Sequence, residues 1–256
     1  MPVLDKFKLN NRVAIITGGN RGLGKAMAMA LAEAGGQVAI TSRNLDQAQT
    51  VAEQIANVTG QTCRGYACNV TVPEQVETFV TQVVHDFGQV DILINNAGIN
   101  IRGPIDQLSL AEFKAVQDIN VTGVWLMCRA VAPYLKTSQY GRVINLGSIL
   151  SQVSISNRTP YAASKGAVLQ MTRTLALEWA PFGITVNAIL PGPFGTEMNQ
   201  SLLDDPEEYQ DFVSKIPLGR WGEPEEIGGL VVFLASEAAS FITGSGILID
   251  GGWTAQ

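Results

Sequence analysis

Short apolar runs rich in Val and Ile alternate with amphipathic helical stretches along the whole chain, and no linker, repeat or low-complexity tract interrupts them. The pattern predicts strands over residues 12–17, 38–41, 62–67, 91–95, 142–146, 184–190 and 247–250. Between them it predicts helices over about 22–34, 46–58, 73–86, 111–137, 160–180 and 225–235. The strand segments are apolar throughout instead of alternating, as expected when helices cover both faces of a sheet. Strand–helix alternation at this spacing implies an α/β fold, a Rossmann-type doubly wound parallel sheet of about seven strands. A length of 256 residues fits a single domain spanning 1–256.

Composition narrows the function. Seventeen basic residues against twenty-three acidic ones give a net charge of −6, and no Lys/Arg run is present, which argues against a nucleic-acid surface. The longest apolar stretches, such as 230–235, are far too short to span a bilayer. Residues 1–10 lack the apolar core of a signal peptide, so a cytoplasmic location is expected. Cys63, Cys68 and Cys128 are expected to be reduced structural thiols, with Cys63 and Cys68 on opposite faces of a strand. No Cys/His cluster suits a metal, and His85, the sole histidine, falls on a helix outside any motif.

Between the first strand and first helix lies Thr17-Gly-Gly-Asn-Arg-Gly-Leu-Gly24. Glycines there let backbone N–H groups approach a pyrophosphate, and the helix N-terminus adds partial positive charge. At the end of the second strand, where an NAD-binding chain places an acid for the ribose hydroxyls, this one reads Ser42-Arg43-Asn44. Arg43 and Arg21 would lie beside the ribose, where guanidinium groups bind a 2′-phosphate well. Ser42 would add a hydroxyl contact. NADP(H) is the expected cofactor, with NAD the alternative.

Taken together, the motifs resemble the classical short-chain dehydrogenase/reductase family over essentially the whole chain. The resemblance rests on the glycine pattern at 17–24, Asn-Asn-Ala-Gly at 95–98, Tyr161-Ala-Ala-Ser-Lys165 thirteen residues beyond Ser148, Pro191-Gly192 with Thr196, and Asp250-Gly-Gly252. It implies a catalytic tetrad of Asn120, Ser148, Tyr161 and Lys165. It also implies a cofactor groove lined by Gly18, Asn20, Arg21, Gly22, Leu23, Ser42, Arg43, Asn69, Val70, Asn96, Ala97 and Gly98. At the nicotinamide end Tyr161 and Lys165 would be joined by Pro191, Gly192, Phe194 and Thr196. The third strand runs into Cys68-Asn69-Val70 where many relatives have Asp. Asn69 keeps a carbonyl acceptor for the adenine amino group.

Hydride transfer to a ketone leaves charge on its oxygen, which needs a proton and a hydrogen-bond donor. Tyr161 is the natural acid/base, although a free phenol has a pKa of about 10. Lys165 lies one helical turn on, where its charge would draw Tyr161 toward the working pH. Ser148 would hold the substrate oxygen. Asn120, by resemblance, would support a water linking Lys165 to solvent.

The substrate pocket is expected from 99–105, 149–159 and 193–215, the last forming a movable lid. Arg102 and Arg158 in the first two segments could hold a carboxylate. Asn100-Ile-Arg-Gly-Pro104 is similar to the polyol and gluconate dehydrogenase branch. A sugar acid or polyol is thus one candidate substrate, and a 3-oxoacyl thioester is the alternative. A non-catalytic NADPH-binding sensor or scaffold predicts a damaged tetrad, and none is visible. The family commonly forms homotetramers through its two long central helices, here 111–137 and 160–180. Val124, Trp125, Met127, Leu175, Leu177 and Trp179 supply apolar surface there that the sequence does not divide between core and interface.

Overall fold

The computed structural model describes residues 2–138 and 140–255. In chain order it contains β1 (Val13–Thr17), α1 (Gly22–Glu33), β2 (Gln37–Ser42), α2 (Leu45–Thr59), β3 (Cys63–Ala67), α3 (Pro73–Phe87) and β4 (Ile92–Asn95). There follow α4 (Leu110–Gln117), α5 (Gly123–Ser138), β5 (Arg142–Leu146), α6 (Thr159–Trp179), β6 (Thr185–Pro191), α7 (Gln200–Leu203), α8 (Pro206–Ser214), α9 (Ile227–Ala235) and β7 (Gly246–Ile249).

The strands form one sheet in the order β3-β2-β1-β4-β5-β6-β7, with every pair parallel. Successive side chains feed opposite layers. Ile16, Ile40 and Ile94 pack against Met27, Leu31 and Leu234 on one face. Ile15, Leu93 and Val143 pack against Val80, Met127 and Val131 on the other. This explains the apolar central strands, whose two faces are both covered, while the edge strand β3 leaves Arg64 and Ala67 exposed. Strand order reverses between β1 and β4, and the carboxyl ends there open the crevice where doubly wound sheets take ligands.

Most predicted boundaries move by a residue or two, as helix and strand ends do. One difference is more than fraying. The long helix expected over 111–137 is two helices, α4 and α5, joined by a π-turn at Asp118–Thr122 that widens the coil around Asn120. Cys68 lies just beyond β3, yet Cys63 and Cys68 still belong to opposite layers, and all three cysteines are free thiols. Among the described residues no helix is long and apolar enough to cross a membrane.

Candidate active site

The glycine-rich turn is clamped to the end of β4. Thr17 Oγ1 accepts from the backbone N–H groups of Asn96 and Ala97, each at 3.0 Å. Asn96 Nδ2 donates back to the carbonyls of Thr17 (2.9 Å) and Gly18 (3.0 Å). Gly18 and Gly22 have φ of +64° and +50°, the left-handed region that glycine enters freely. A Cβ on Gly24 would overlap Gly18 O and Asn96 Nδ2, so α1 can approach the turn only without one. No side chain caps α1. Its first residues line the groove with no side-chain cap on their N–H groups, as an anion-binding helix start requires. The residues present fit a dinucleotide pyrophosphate.

From this turn a groove of about 510 Å³ runs across the switch point. Gly18, Asn20, Arg21, Gly22, Leu23, Ser42, Arg43, Asn69, Val70, Asn96, Ala97 and Gly98 all line it. Arg21 and Arg43 are exposed at its rim, beside the end of β2. Two expected polar contacts are differently engaged. The Ser42 hydroxyl donates to Asn44 O (2.6 Å) and accepts from Asn44 N (3.1 Å), so it also shapes the turn into α2. Asn69 Oδ1 accepts from the Thr71 N–H and hydroxyl at 3.2 and 2.9 Å. The carbonyl expected to receive the adenine amino group is thus already engaged in an Asx turn, a local competition typical of Asn.

The groove continues into a smaller chamber of about 150 Å³ at the carboxyl ends of β5 and β6. Here the structure brings together Ser148, Tyr161, Lys165, Pro191, Gly192, Phe194 and Thr196. Gly192 passes so close to Asp250 that a Cβ would sit 2.7 Å from its Cα. Asp250 is fixed in turn by bonds from Gly252 N, Thr254 N and the Thr254 hydroxyl. The Asp-Gly-Gly motif therefore braces the floor of the site. Phe194 is buried against Gly222, with its ring forming part of the wall.

Tyr161 and Lys165 share one face of α6. The Ser148 hydroxyl lies beside the Tyr161 phenol and lowers its pKa. Burial pushes the phenol up to about 12, with the Ser148 hydroxyl and the Arg102 charge pulling the other way. Lys165 is buried, and its Nζ donates to Leu146 O at 2.6 Å while lying 5.4 Å from the Tyr161 ring centroid. Burial pulls its ammonium down to about 8. In this geometry burial, and not the Lys165 charge, governs the Tyr161 phenol. The ammonium is aimed at a backbone carbonyl, and desolvation of the phenolate outweighs the charges nearby.

Asn120 is buried inside the π-turn. Its Oδ1 accepts from Ile99 N (2.9 Å), and its Nδ2 donates to Ile99 O and Ser164 Oγ, both at 3.0 Å. It thereby ties the loop after β4 to α6. Ser151 Oγ, which donates to Lys165 O at 2.8 Å, holds the same helix from the other side. Sequence reasoning overlooked Ser151 and Ser164, because a supporting hydroxyl carries no spacing signal of its own.

Arg102 and Arg158 both line the chamber, and burial lowers the pKa of each. Arg102 donates to Asn199 Oδ1 at 2.9 Å, which links it to the segment covering the site. That segment carries α7 and α8 and seats Tyr209 and Phe212 around buried Trp221. Trp221 lies beyond the predicted 193–215 segment and was not expected at the site.

Glycine turn, switch-point groove and buried Ser/Tyr/Lys cluster define a dinucleotide-dependent oxidoreductase site. A family model described as enoyl-(acyl carrier protein) reductase matches residues 18–254. The chain is 37% identical over 251 residues to the 2-dehydro-3-deoxy-D-gluconate 5-dehydrogenase of Pseudoalteromonas atlantica, covering 98% of this chain and 99% of that one. It is 37% identical over 254 residues to the gluconate 5-dehydrogenase of Gluconobacter oxydans, covering 98% and 97%. The crystal structure of a gluconate 5-dehydrogenase from Burkholderia cenocepacia in complex with NADP and tartrate superposes with a TM-score of 0.96 at 37% identity, covering 99% of each chain. The chain belongs to the classical short-chain dehydrogenase/reductase family and is an NAD(P)-dependent oxidoreductase.

Proposed function

We propose that the protein interconverts a sugar acid and its keto form with NADP(H), through Ser148, Tyr161 and Lys165. The observation that carries this is the pair of half-buried guanidinium groups, Arg102 and Arg158, in the wall of the chamber that holds Ser148 and Tyr161. Two half-buried guanidinium groups beside the reacting groups, set against one shared carboxylate, Glu208, make the chamber attract a negatively charged substrate. The relatives named for gluconate and 2-dehydro-3-deoxy-D-gluconate support the same class.

The bound nicotinamide supplies or accepts the hydride. In the reductive direction Ser148 and Tyr161 hold the carbonyl oxygen between two hydroxyl donors, and the phenol passes its proton to that oxygen. A phenol near 12 is fully protonated at neutral pH and ready to donate. Lys165, near 8, can release a proton close to the working pH and so refill the phenol. In the oxidative direction the same groups run in reverse. Asn120 positions Lys165 through α6, and a water relay beside it completes the tetrad. Arg21 and Arg43 hold a 2′-phosphate at the rim of the groove, which selects NADP(H) over NAD(H). The 193–215 segment acts as a lid. The protein works as a cytoplasmic homotetramer, with exposed Trp125 on α5 and Leu177 on α6 as interface residues. The 36% identity over 246 residues to a 3-oxoacyl-(acyl-carrier-protein) reductase of Vibrio cholerae favours a second reading, reduction of a 3-oxoacyl thioester.

Titration with NADPH and NADH tests the cofactor. Arg43→Ala should weaken NADPH by about tenfold or more and leave NADH unchanged, since one charge-assisted pair is lost. Equal NADH and NADPH affinity in wild type would overturn the assignment. For the substrate, Arg102→Ala should lower kcat/KM on D-gluconate by about 100-fold while sparing neutral ketones. Turnover of neutral ketones or acyl thioesters with none on sugar acids would refute it.

A further inference from the structure

Trp221 is buried, lines the chamber with Ser148 and Tyr161, and its Nε1–H has no hydrogen-bond partner. Asn100 Oδ1, on the same chamber, is a buried acceptor that is likewise unpartnered. Buried polar atoms of native proteins are almost always paired, and an orphaned donor and acceptor on one pocket is an uncommon conjunction. Neither atom takes part in the proton chemistry, and neither is needed to hold the fold: the Trp221 indole is already fixed by stacking on Tyr209 (6.0 Å, 11°) and by Phe212 at 5.6 Å. Both rings belong to α8, so the indole packs against the segment that covers the chamber.

We infer that Trp221 Nε1 donates to a hydroxyl oxygen of the substrate's carbon chain, with Asn100 Oδ1 accepting from a hydroxyl of the same chain, so that together they select polyhydroxylated substrates. Hydroxyl groups are suited to this pair, because each donates one hydrogen bond and accepts two. An acyl chain satisfies neither atom, and sites built to pair with a hydroxyl reject analogues that lack it. This rests on the sugar-acid reading for the substrate's carboxylate, but the hydroxyl preference can be measured apart from it.

The test compares wild type with Trp221→Phe, which keeps an aromatic ring in the stack and removes only the donor. The substrates are D-gluconate, its 2-deoxy and 3-deoxy analogues, neutral polyols and a short ketone without hydroxyls. KM for D-gluconate should rise about tenfold in the variant, as expected when a buried donor loses its bond. KM for the short ketone and the melting temperature should stay within error. One deoxy analogue should be weak in wild type and lose nothing further in the variant, the signature of a pair whose members act together. Equal KM changes on all substrates, or none on any, would overturn the inference and leave Trp221 a packing residue. If wild type oxidises polyols and not acids, the carboxylate reading falls, and Trp221→Phe is judged on the polyols. Turnover of hydroxyl-free carbonyls alone would overturn both.

Discussion

Replacing Lys165 by methionine should change how stability depends on pH. Lys165 is 5% exposed, and burial draws its ammonium from 10.5 down to about 8. For a base, a lowered pKa means that the folded state holds the proton less tightly than the unfolded chain. Below about pH 8 both states are charged, and the native state carries the whole desolvation penalty. As pH rises from about 8 to 10.5 the native amine is neutral while the unfolded one is still charged, so the penalty fades, and above 10.5 it is gone. The gap between 10.5 and about 8 corresponds to roughly 3 kcal/mol. Methionine fills a similar volume and does not titrate. Wild type should therefore gain roughly 2–3 kcal/mol on Lys165→Met between about pH 7 and pH 10. The lost bond to Leu146 O shifts the difference by a constant and leaves its slope unchanged. At about 2–4 °C per kcal/mol for a domain of this size, the relative melting temperatures should move by roughly 5–10 °C. Paired thermal melts at fixed protein concentration across that range read it directly. A difference that stays flat, or that grows toward low pH in favour of wild type, would refute the claim that burial governs this lysine.

Gly24→Ala should destabilise the fold by about 1–3 kcal/mol, because the added methyl meets a backbone oxygen and a doubly bonded amide. It should also weaken cofactor binding at least tenfold by calorimetry, and unchanged affinity would contradict the cradle described above. Asn120→Ala leaves both polar groups of the Ile99 backbone without their Asn120 partner and removes one bond accepted by the Ser164 hydroxyl, a loss of roughly 2–5 kcal/mol in urea unfolding. A variant as stable as wild type would show those bonds to be replaceable. Leu177 is 79% exposed on α6, so Leu177→Glu should leave the folded subunit within about 0.5 kcal/mol of wild type. It should nonetheless split a tetramer in sedimentation, and an unaltered particle mass would remove Leu177 from the interface.

Much of the molecule is written locally in the chain. The apolar strand runs, the helical periods between them and the glycine turn each follow from contacts within a few residues, so sheet, strand sequence and cofactor turn were legible. So was the Tyr161/Lys165 pair, since four residues along a helix bring two side chains to one face. Where the reading failed, a longer-range partner decided. The π-turn at 118–122 has no periodicity of its own and is anchored by Ile99 and Ser164 from other parts of the chain. Trp221 reaches the chamber from a segment sixty positions beyond Tyr161, which no spacing rule connects. The division of Trp125 and Leu177 from buried Val124, Met127 and Trp179 likewise came only with packing. The titration of Tyr161 and Lys165 belongs to the same group. Sequence determined that they would be neighbours, but their proton affinities depend on how much water and charge the folded surroundings leave within reach, a property of three-dimensional space and not of order along the chain.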